Sequence, residues 1–190
     1  SRRQRQMCIR DRPRIGKDSF VKEVKKCLVK VNYRVYNISA IEPILHLVEQ
    51  IGFDVAKTVA NRKMFSLIKQ AVDLRDYTFN VTQNTVQNIL TKKGSDGNNI
   101  IFIHCREPKE IDKYVRAYNA KTILIMSPEI EKLNIDYGND SDNNVNNYNY
   151  TYIIDNHKTL EFKSEEEITK VNHELAKKFV ENVILKRRFL

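Results

Sequence analysis

Residues 14–20 read Arg-Ile-Gly-Lys-Asp-Ser-Phe, and a helical pattern follows this stretch at once. A loop that binds phosphate needs a glycine, so that backbone N–H groups can approach the oxygens, and a lysine that reaches the outer phosphates. It also needs a helix that begins there, because the positive end of the helix dipole then faces the anion. Gly16, Lys17 and a helix from about Asp18 meet these needs. The stretch predicts the second half of a phosphate-binding loop.

The match to the full loop pattern is incomplete at two positions. The pattern asks for an earlier glycine where Asp11 stands, and for Ser or Thr directly after the lysine, where Asp18 precedes Ser19. An ordinary helix start, capped by Asp18 or Ser19, is the alternative interpretation. The rest of the chain has to decide between the two.

The composition is that of a globular protein with one domain. The chain has 190 residues, of which 41% are hydrophobic and 30% charged. No apolar run approaches the ~20 residues of a membrane span, and none forms a signal-peptide core near the start. Cys8, Cys27 and Cys105 lack metal-binding spacing and predict free thiols. We therefore expect a cytoplasmic protein without a membrane partner.

The net charge of +9 is concentrated at the two ends of the chain. Residues 1–14 hold six arginines and one acidic residue, and residues 186–190 form a short basic tail. The part between them is nearly neutral and lacks the glycine and aromatic signature of an RNA-binding sheet. We therefore expect no nucleic-acid partner.

Residues 1–12 form an atypical basic segment. A phosphate-binding loop normally follows a buried strand of Val, Ile and Leu, but here residues 7–9 (Met-Cys-Ile) are the only apolar trio. The segment resembles the translated adaptor-like sequence found at the ends of assembled gene fragments. We interpret it as not native, with the first strand and first glycine missing or replaced and natural sequence from about Pro13. A genuine basic tail is the alternative.

Helical and strand patterns alternate along the rest of the chain. Helices are predicted over about 19–30, 41–51, 58–75, 82–93, 108–118 and 165–185, and strands over 31–38, 99–104, 121–126 and 150–154. Continuous apolar runs at 99–104 and 121–126 are typical of central parallel strands. This alternation predicts an α/β protein with three α/β/α layers and a central parallel sheet. Ligands of such sheets bind beyond the carboxyl ends of the strands, where Gly16, Lys17 and Arg106 fall.

Three segments together resemble a known family. Residues 16–20 resemble the Gly-Lys-Asp-Thr/Ser loop of phage-type deoxynucleoside monophosphate kinases and their adenylate-kinase-like relatives. Residues 101–111 (Ile-Phe-Ile-His-Cys-Arg-Glu-Pro-Lys-Glu-Ile) resemble the family's strand and Arg-Glu-Pro helix start, and residues 150–161 its closing strand, asparagine turn and Thr-Leu-Glu helix entry. The resemblance implies a P-loop NTPase fold like that of nucleoside monophosphate kinases, with residues 13–185 as the domain and residues 127–149 as a lid-like loop.

The resemblance also implies an activity and a site. The activity is ATP-dependent phosphoryl transfer to a (deoxy)nucleoside monophosphate, which gives the diphosphate and uses Mg²⁺. Lys17 and Arg106 would be catalytic, and Asp18 or Ser19 would reach the metal. Arg62 and Lys69 would bind the acceptor nucleotide. The residues that would contact ATP are Arg14, Ile15, Gly16, Lys17, Asp18 and Ser19.

Several alternatives stay open. Arg106 is either a phosphate ligand or the ion-pair partner of a nearby glutamate, and Arg62 lies either at the acceptor or on a solvated helix face. His104 occupies a strand end where related enzymes often place an aspartate that orients Mg²⁺, and we interpret it as a hydrogen-bonded residue rather than a base. The function could instead be a P-loop kinase for another small phosphorylated metabolite, or nucleotide binding without catalysis. Monomer and homodimer are both compatible with the sequence.

Overall fold

The computed structural model describes residues 5–10, 16–56, 58–92, 98–105, 107–126, 148–156 and 164–185. The strands are β1 (Arg5–Arg10), β2 (Tyr33–Ser39), β3 (Asn98–His104), β4 (Lys121–Met126) and β5 (Tyr152–Asp155). The α-helices are α1 (Lys17–Val29), α2 (Glu42–Gln50), α3 (Val59–Val72), α4 (Tyr77–Thr91), α5 (Pro108–Tyr118) and α6 (Glu165–Phe179). A 3-10 helix (Asp73–Arg75) follows α3, and a π-helix (Val180–Leu185) follows α6.

The five strands form one parallel sheet in the order β2-β3-β1-β4-β5. Because all strands run the same way, their carboxyl ends lie along one edge of the sheet. β3 is buried along almost its whole length, as expected for a continuous apolar strand covered on both faces. The predicted fold class, an α/β protein with a central parallel sheet, is confirmed.

The first strand, which we expected to be missing or replaced, is present in the structure. Residues 5–10 form β1, which lies at the centre of the sheet between β3 and β4. The apolar trio is enough for this position because strand side chains alternate between faces. Met7 and Ile9 are buried against the α1 and α6 side, and Cys8 is buried against the α4 and α5 side. The expected absence of a first strand is therefore wrong.

Two pairs of helices cover the sheet. The apolar stripe of α1, with Phe20, Val24 and Leu28 four residues apart, packs with α6 on one face. α4 and α5 pack on the other face, where Tyr114 is fully buried. These layers confirm the predicted α/β/α arrangement. Among the described helices, none is both long and apolar enough to cross a lipid bilayer.

α2 and α3 form a helical hairpin with a small core of its own. Ile44 and Val48 of α2 pack against Phe65 of α3. The hairpin follows β2, so it enters the fold from the carboxyl edge of the sheet. Its position is therefore on the side of the molecule where the predicted phosphate-binding loop lies.

Candidate functional site

Gly16 stands at the start of α1, directly after residues that connect it to the central strand. Its backbone is left-handed, with φ 90° and ψ 23°, and its carbonyl accepts the first hydrogen bond of the helix from the N–H of Phe20 at 2.9 Å. A side chain at such a positive φ is strained, which accounts for glycine here. The glycine of the predicted loop is thus needed for its backbone conformation.

Two buried asparagines, Asn156 and Asn172, lie next to Gly16. A Cβ atom on Gly16 would be 3.6 Å from Nδ2 of Asn156 and 3.8 Å from Oδ1 of Asn172, which are ordinary contacts. Asn156 follows β5 and donates its backbone N–H to the carbonyl of Met126 at 2.8 Å. Asn172 on α6 donates its amide to the carbonyl of Ile168 at 3.0 Å. Asn156, which follows β5, and Asn172 of α6 therefore lie against Gly16 at the start of α1.

Neither asparagine was predicted from the sequence. Asn172 lies among the apolar residues of the buried α6 face, and a buried polar residue in such a stripe is a usable signal. Asn156 lies in the asparagine turn that the family resemblance already included. Neither signal indicates contact with Gly16, because the contact depends on how α6 packs against α1.

Lys17, Asp18 and His104 come together at the carboxyl edge of the sheet. The Nζ atom of Lys17 lies 3.9 Å from Oδ2 of Asp18, and Nδ1 of His104 lies 4.0 Å from Oδ1 of the same carboxylate. The Asp18 side chain is 72% exposed, and Ser19 is also exposed. A cation, a carboxylate and a hydroxyl therefore lie together at the start of α1.

His104 is held at the end of β3 by a side chain of the neighbouring strand. Its Nε2 is hydrogen-bonded to Oδ1 of Asn37 on β2. Burial, and after it the nearby Lys17, lower the pKa of His104, while Asp18 opposes the change, and the pKa falls to about 4. The imidazole is therefore neutral at pH 7. The interpretation of His104 as a hydrogen-bonded strand-end residue is confirmed.

Lys69, predicted to bind the acceptor, forms ion pairs within the fold. Its Nζ lies 2.9 Å from Oδ2 of Asp73 and 3.5 Å from Oε1 of Glu110 on α5. Burial lowers the pKa of Lys69, but the two carboxylates outweigh burial and leave the pKa above its ordinary value. Lys69 thus connects the α2–α3 hairpin to α5, and its predicted contact with a substrate stays a prediction.

The Lys69 cluster extends to α4 through Asp73. The hydroxyl and the backbone N–H of Thr78 donate to Oδ1 of Asp73 at 2.6 and 2.9 Å. Burial raises the pKa of Asp73, but Thr78 and Lys69 outweigh it and lower the pKa overall. This cluster was not predicted from the sequence, because its members match no motif and Glu110 is distant along the chain from Lys69, Asp73 and Thr78.

The remaining predicted residues divide into two groups. Arg62 is half-buried in the first turn of α3, and its predicted role stays a prediction. Arg14, Ile15 and Arg106 lie outside the described residues, as do residues 127–147 of the lid-like loop. Within the described ranges, no group of three or more His, Cys, Asp or Glu side chains is arranged to hold a metal ion.

Several solved structures resemble this chain at low sequence identity. No protein-family model matches the sequence, and no curated protein matches it. A gluconokinase from Sinorhizobium meliloti 1021 is 11% identical, over 98% of this chain and 99% of that chain, with a TM-score of 0.39. A sugar kinase from Janibacter sp. HTCC2649 is 9% identical, over 88% of this chain and 91% of that chain, with a TM-score of 0.36. Likenesses this distant assign neither a family nor an activity.

Proposed function

We propose that this protein transfers a phosphoryl group from ATP to a nucleoside monophosphate. The observation that carries the proposal is Gly16 in a left-handed conformation at the start of α1, with Lys17 beside it. α1 follows the central strand and begins at the carboxyl edge of a parallel sheet, where the ligands of such sheets bind. A helix start at this edge attracts the phosphates of a nucleotide through its N–H groups and its dipole.

The residues at this edge fit ATP and Mg²⁺ chemically. Lys17 supplies a cation for the outer phosphates, and the backbone N–H groups of the first turn of α1 supply donors. Asp18 and Ser19 supply the oxygen ligands that Mg²⁺ prefers, both on exposed side chains. When bound, Mg²⁺ neutralises negative charge on the phosphates. Phosphoryl transfer depends mainly on such positioning and charge stabilisation, which these residues can supply.

The nucleoside monophosphate acceptor is proposed from the family resemblance and from the α2–α3 hairpin. The hairpin lies after β2 on the carboxyl side of the sheet and has its own small core, so it can form one wall of an acceptor site. Arg62 in its first turn on α3 supplies a guanidinium suited to a phosphate group. Another small phosphorylated metabolite would use the same phosphate contacts.

Nucleotide binding without turnover is a second candidate, and His104 favours it. At the end of β3 the structure has a neutral imidazole bonded to Asn37, not a carboxylate that would help to hold Mg²⁺. Such a site binds the nucleotide through α1 while the metal is held less firmly. This candidate predicts saturable ATP binding with no product.

A panel of acceptors tests the proposal. The protein is incubated with Mg-ATP and each of the ribo- and deoxynucleoside monophosphates in turn, and ADP release is measured. We expect ADP above the acceptor-free rate with at least one of them. Saturable ATP binding with no acceptor-dependent ADP would contradict the kinase and select the second candidate. Turnover with a phosphorylated sugar alone would keep the reaction and change the acceptor.

A further inference from the structure

Among the described α-helices, α4 alone has no charged residue. Its 15 residues contain no Asp, Glu, Lys or Arg, although 30% of the whole chain is charged. Asn and Thr, which fill much of its exposed face, are weak helix formers, and without charges no ion pairs one turn apart stabilise that face. Helix stability alone therefore does not account for this composition. The exposed residues of α4 are Tyr77, Asn80, Asn84, Thr85, Gln87, Asn88 and Thr91.

The exposed face of α4 has the composition of an interface core. Such cores are depleted in Lys, Glu and Asp and enriched in Tyr relative to the rest of a protein surface. Two apolar side chains lie at the start of α4, where Tyr77 is 38% exposed and Leu74, in the preceding 3-10 helix, is 88% exposed. On α1, by contrast, the exposed face carries Lys22, Lys25 and Lys26. The exposed face of α4 together with Leu74, which we call the neutral surface, can therefore be covered without burying a charge.

The net charge of the chain makes a second copy a suitable occupant of the neutral surface. Two copies that each carry a net charge of +9 repel each other least where they meet through an uncharged face. The amide of Asn84 has both donors and an acceptor, so it can pair with the same amide on another copy. A two-fold dimer interface requires such self-complementarity, because the same residues face each other across the axis.

The spacing of the exposed residues supports an antiparallel pair of helices. Tyr77, Asn80, Asn84, Gln87 and Thr91 are separated alternately by three and four residues, which is the spacing of a seam between two packed helices. Asn84 is the midpoint of this series. A two-fold axis at Asn84 therefore sets this residue against its own counterpart and Tyr77 against Thr91 of the second copy.

The charged residues that flank α4 favour the same direction. Arg75 and Asp76, of opposite charge, precede the helix, and Lys92 follows it. Antiparallel pairing brings Asp76 near Lys92 of the second copy, whereas parallel pairing would set the two Lys92 side chains against each other. Asp76 is also bonded to Lys113 of its own chain, but its side chain stays 55% exposed. It can therefore face a second cation.

We propose that two copies of this chain form a two-fold dimer through the neutral surface, with the α4 helices antiparallel and Asn84 at the axis. A helix of this length spans about 22 Å. A contact between two such helices buries on the order of 900 Å² in total, near the lower limit for a specific interface. We therefore expect a weak dimer with a micromolar dissociation constant. The inference does not rest on the proposed function, and its test uses no nucleotide.

Sedimentation equilibrium of the full chain tests the dimer and its surface. Between about 1 and 200 μM, a range that brackets a micromolar dissociation constant, we expect the weight-average mass to rise from 22.4 kDa towards twice that value. Asn84→Lys places two positive charges against each other at the axis and should keep the chain monomeric. This variant should fold, because Asn84 is exposed and lysine is the better helix former. Thr169→Lys adds the same charge on the exposed face of α6 and is the matched control, which should dimerise as the wild type does.

A mixture of two variants tests the position of the two-fold axis. Asn84→Glu should also be monomeric by itself, but an equimolar mixture of Asn84→Glu and Asn84→Lys should dimerise, because opposite charges then meet at the axis. A wild type that keeps a mass of 22.4 kDa at all concentrations would overturn the inference. A dimer that survives in Asn84→Lys, or a mixture that stays monomeric, would also overturn it. Loss of the dimer in Thr169→Lys would do the same, because overall charge would then explain the effect.

Discussion

α1 and α6 pack side by side on one face of the sheet, yet they begin in opposite ways. α6 begins with a capping box, in which the Ser164 hydroxyl accepts from the N–H of Glu167 while the Glu167 carboxylate accepts from the N–H of Ser164. α1 begins at Gly16, which has no side chain to cap the helix. The start of α6 is thus capped by side chains of its own first turn, whereas the N-cap residue of α1 supplies no side-chain cap.

The two helices are nevertheless coupled, so the difference between their starts is local. Phe20 of α1 and Phe179 of α6 meet edge to face with ring centroids 5.5 Å apart. Glu23 of α1 is buried and bonded to His173 of α6 at 2.9 Å. The same packing thus supports one capped end and one uncapped end. What separates them is the residue at the cap, Gly16 in α1 and Ser164 in α6.

The largest expected effect comes from removing the cation at the start of α1. Lys17→Ala should lower the rate of phosphoryl transfer on the order of 10²- to 10³-fold, the usual cost of losing one group that stabilises charge in the transition state. ADP release under saturating ATP measures it. Lys25→Ala, on the exposed face of the same helix, is the control and should keep the full rate. Equal rates in Lys17→Ala and the wild type would contradict the assigned site.

The glycines give the next test, because two of them share one conformation. Gly16 has φ 90° and Gly52, after α2, has φ 85°. Alanine at either position should cost about 1–2 kcal/mol of unfolding free energy. Only Gly16→Ala should also weaken ATP binding, because the loop would move to relieve the strain. A cost of about 1.4 kcal/mol in binding free energy corresponds to a tenfold weaker affinity. Urea unfolding and ATP titration of both variants measure the two effects.

A matching loss of ATP affinity in Gly52→Ala would show that the effect is one of general stability. Gly16 would then have no specific role in ATP binding. Because a Cβ on Gly52 meets no atom within 4 Å, this control introduces no contact of its own.

The two serines in the first turns should separate stability from activity. Ser164→Ala should cost about 1 kcal/mol of unfolding free energy through loss of the cap and leave the rate of ADP release unchanged. Ser19→Ala should have the reverse pattern, with a lower rate at limiting Mg²⁺ and little change in stability, because Ser19 is exposed. The comparison fails if Ser19→Ala unfolds as readily as Ser164→Ala.

The smallest effect concerns the link between α1 and α6. Burial raises the pKa of Glu23, but hydrogen bonds from Lys26 and His173 outweigh it and leave the pKa below its ordinary value of 4.5. The unfolded chain therefore binds this proton more readily than the folded one. The resulting stability is complete above about pH 4.5 and is lost as the pH falls through the lower folded value. Glu23→Gln should lose less stability than the wild type between pH 6 and pH 3.

The sequence predicted most of the fold because the apolar patterns that define it are local. Helix α5 and strand β4 have the predicted bounds, since a proline start and a continuous apolar run mark them clearly. The central strand was the exception. With only residues 7–9 apolar, its pattern is too short to recognise, and its central position depends on pairing with β3 and β4 on either side.

The site was predictable only in part. Gly16 and Lys17 were found because their spacing before a helix has a chemical meaning. Asn37 was missed, because its contact with His104 depends on the pairing of β2 with β3. Lys69 showed the limit of assigning a role from the residue type, since its two carboxylate partners lie on other elements of the fold.

Backbone amide chemical shifts during an ATP titration test whether the start of α1 binds the nucleotide. We expect the amides of residues 17–19, in the first turn of α1, to shift saturably as Mg-ATP is added. The amides of residues 165–167, in the capped first turn of α6, should stay in place. Saturable shifts absent from residues 17–19, or equal shifts at both helix starts, would contradict the claim that the start of α1 binds the nucleotide.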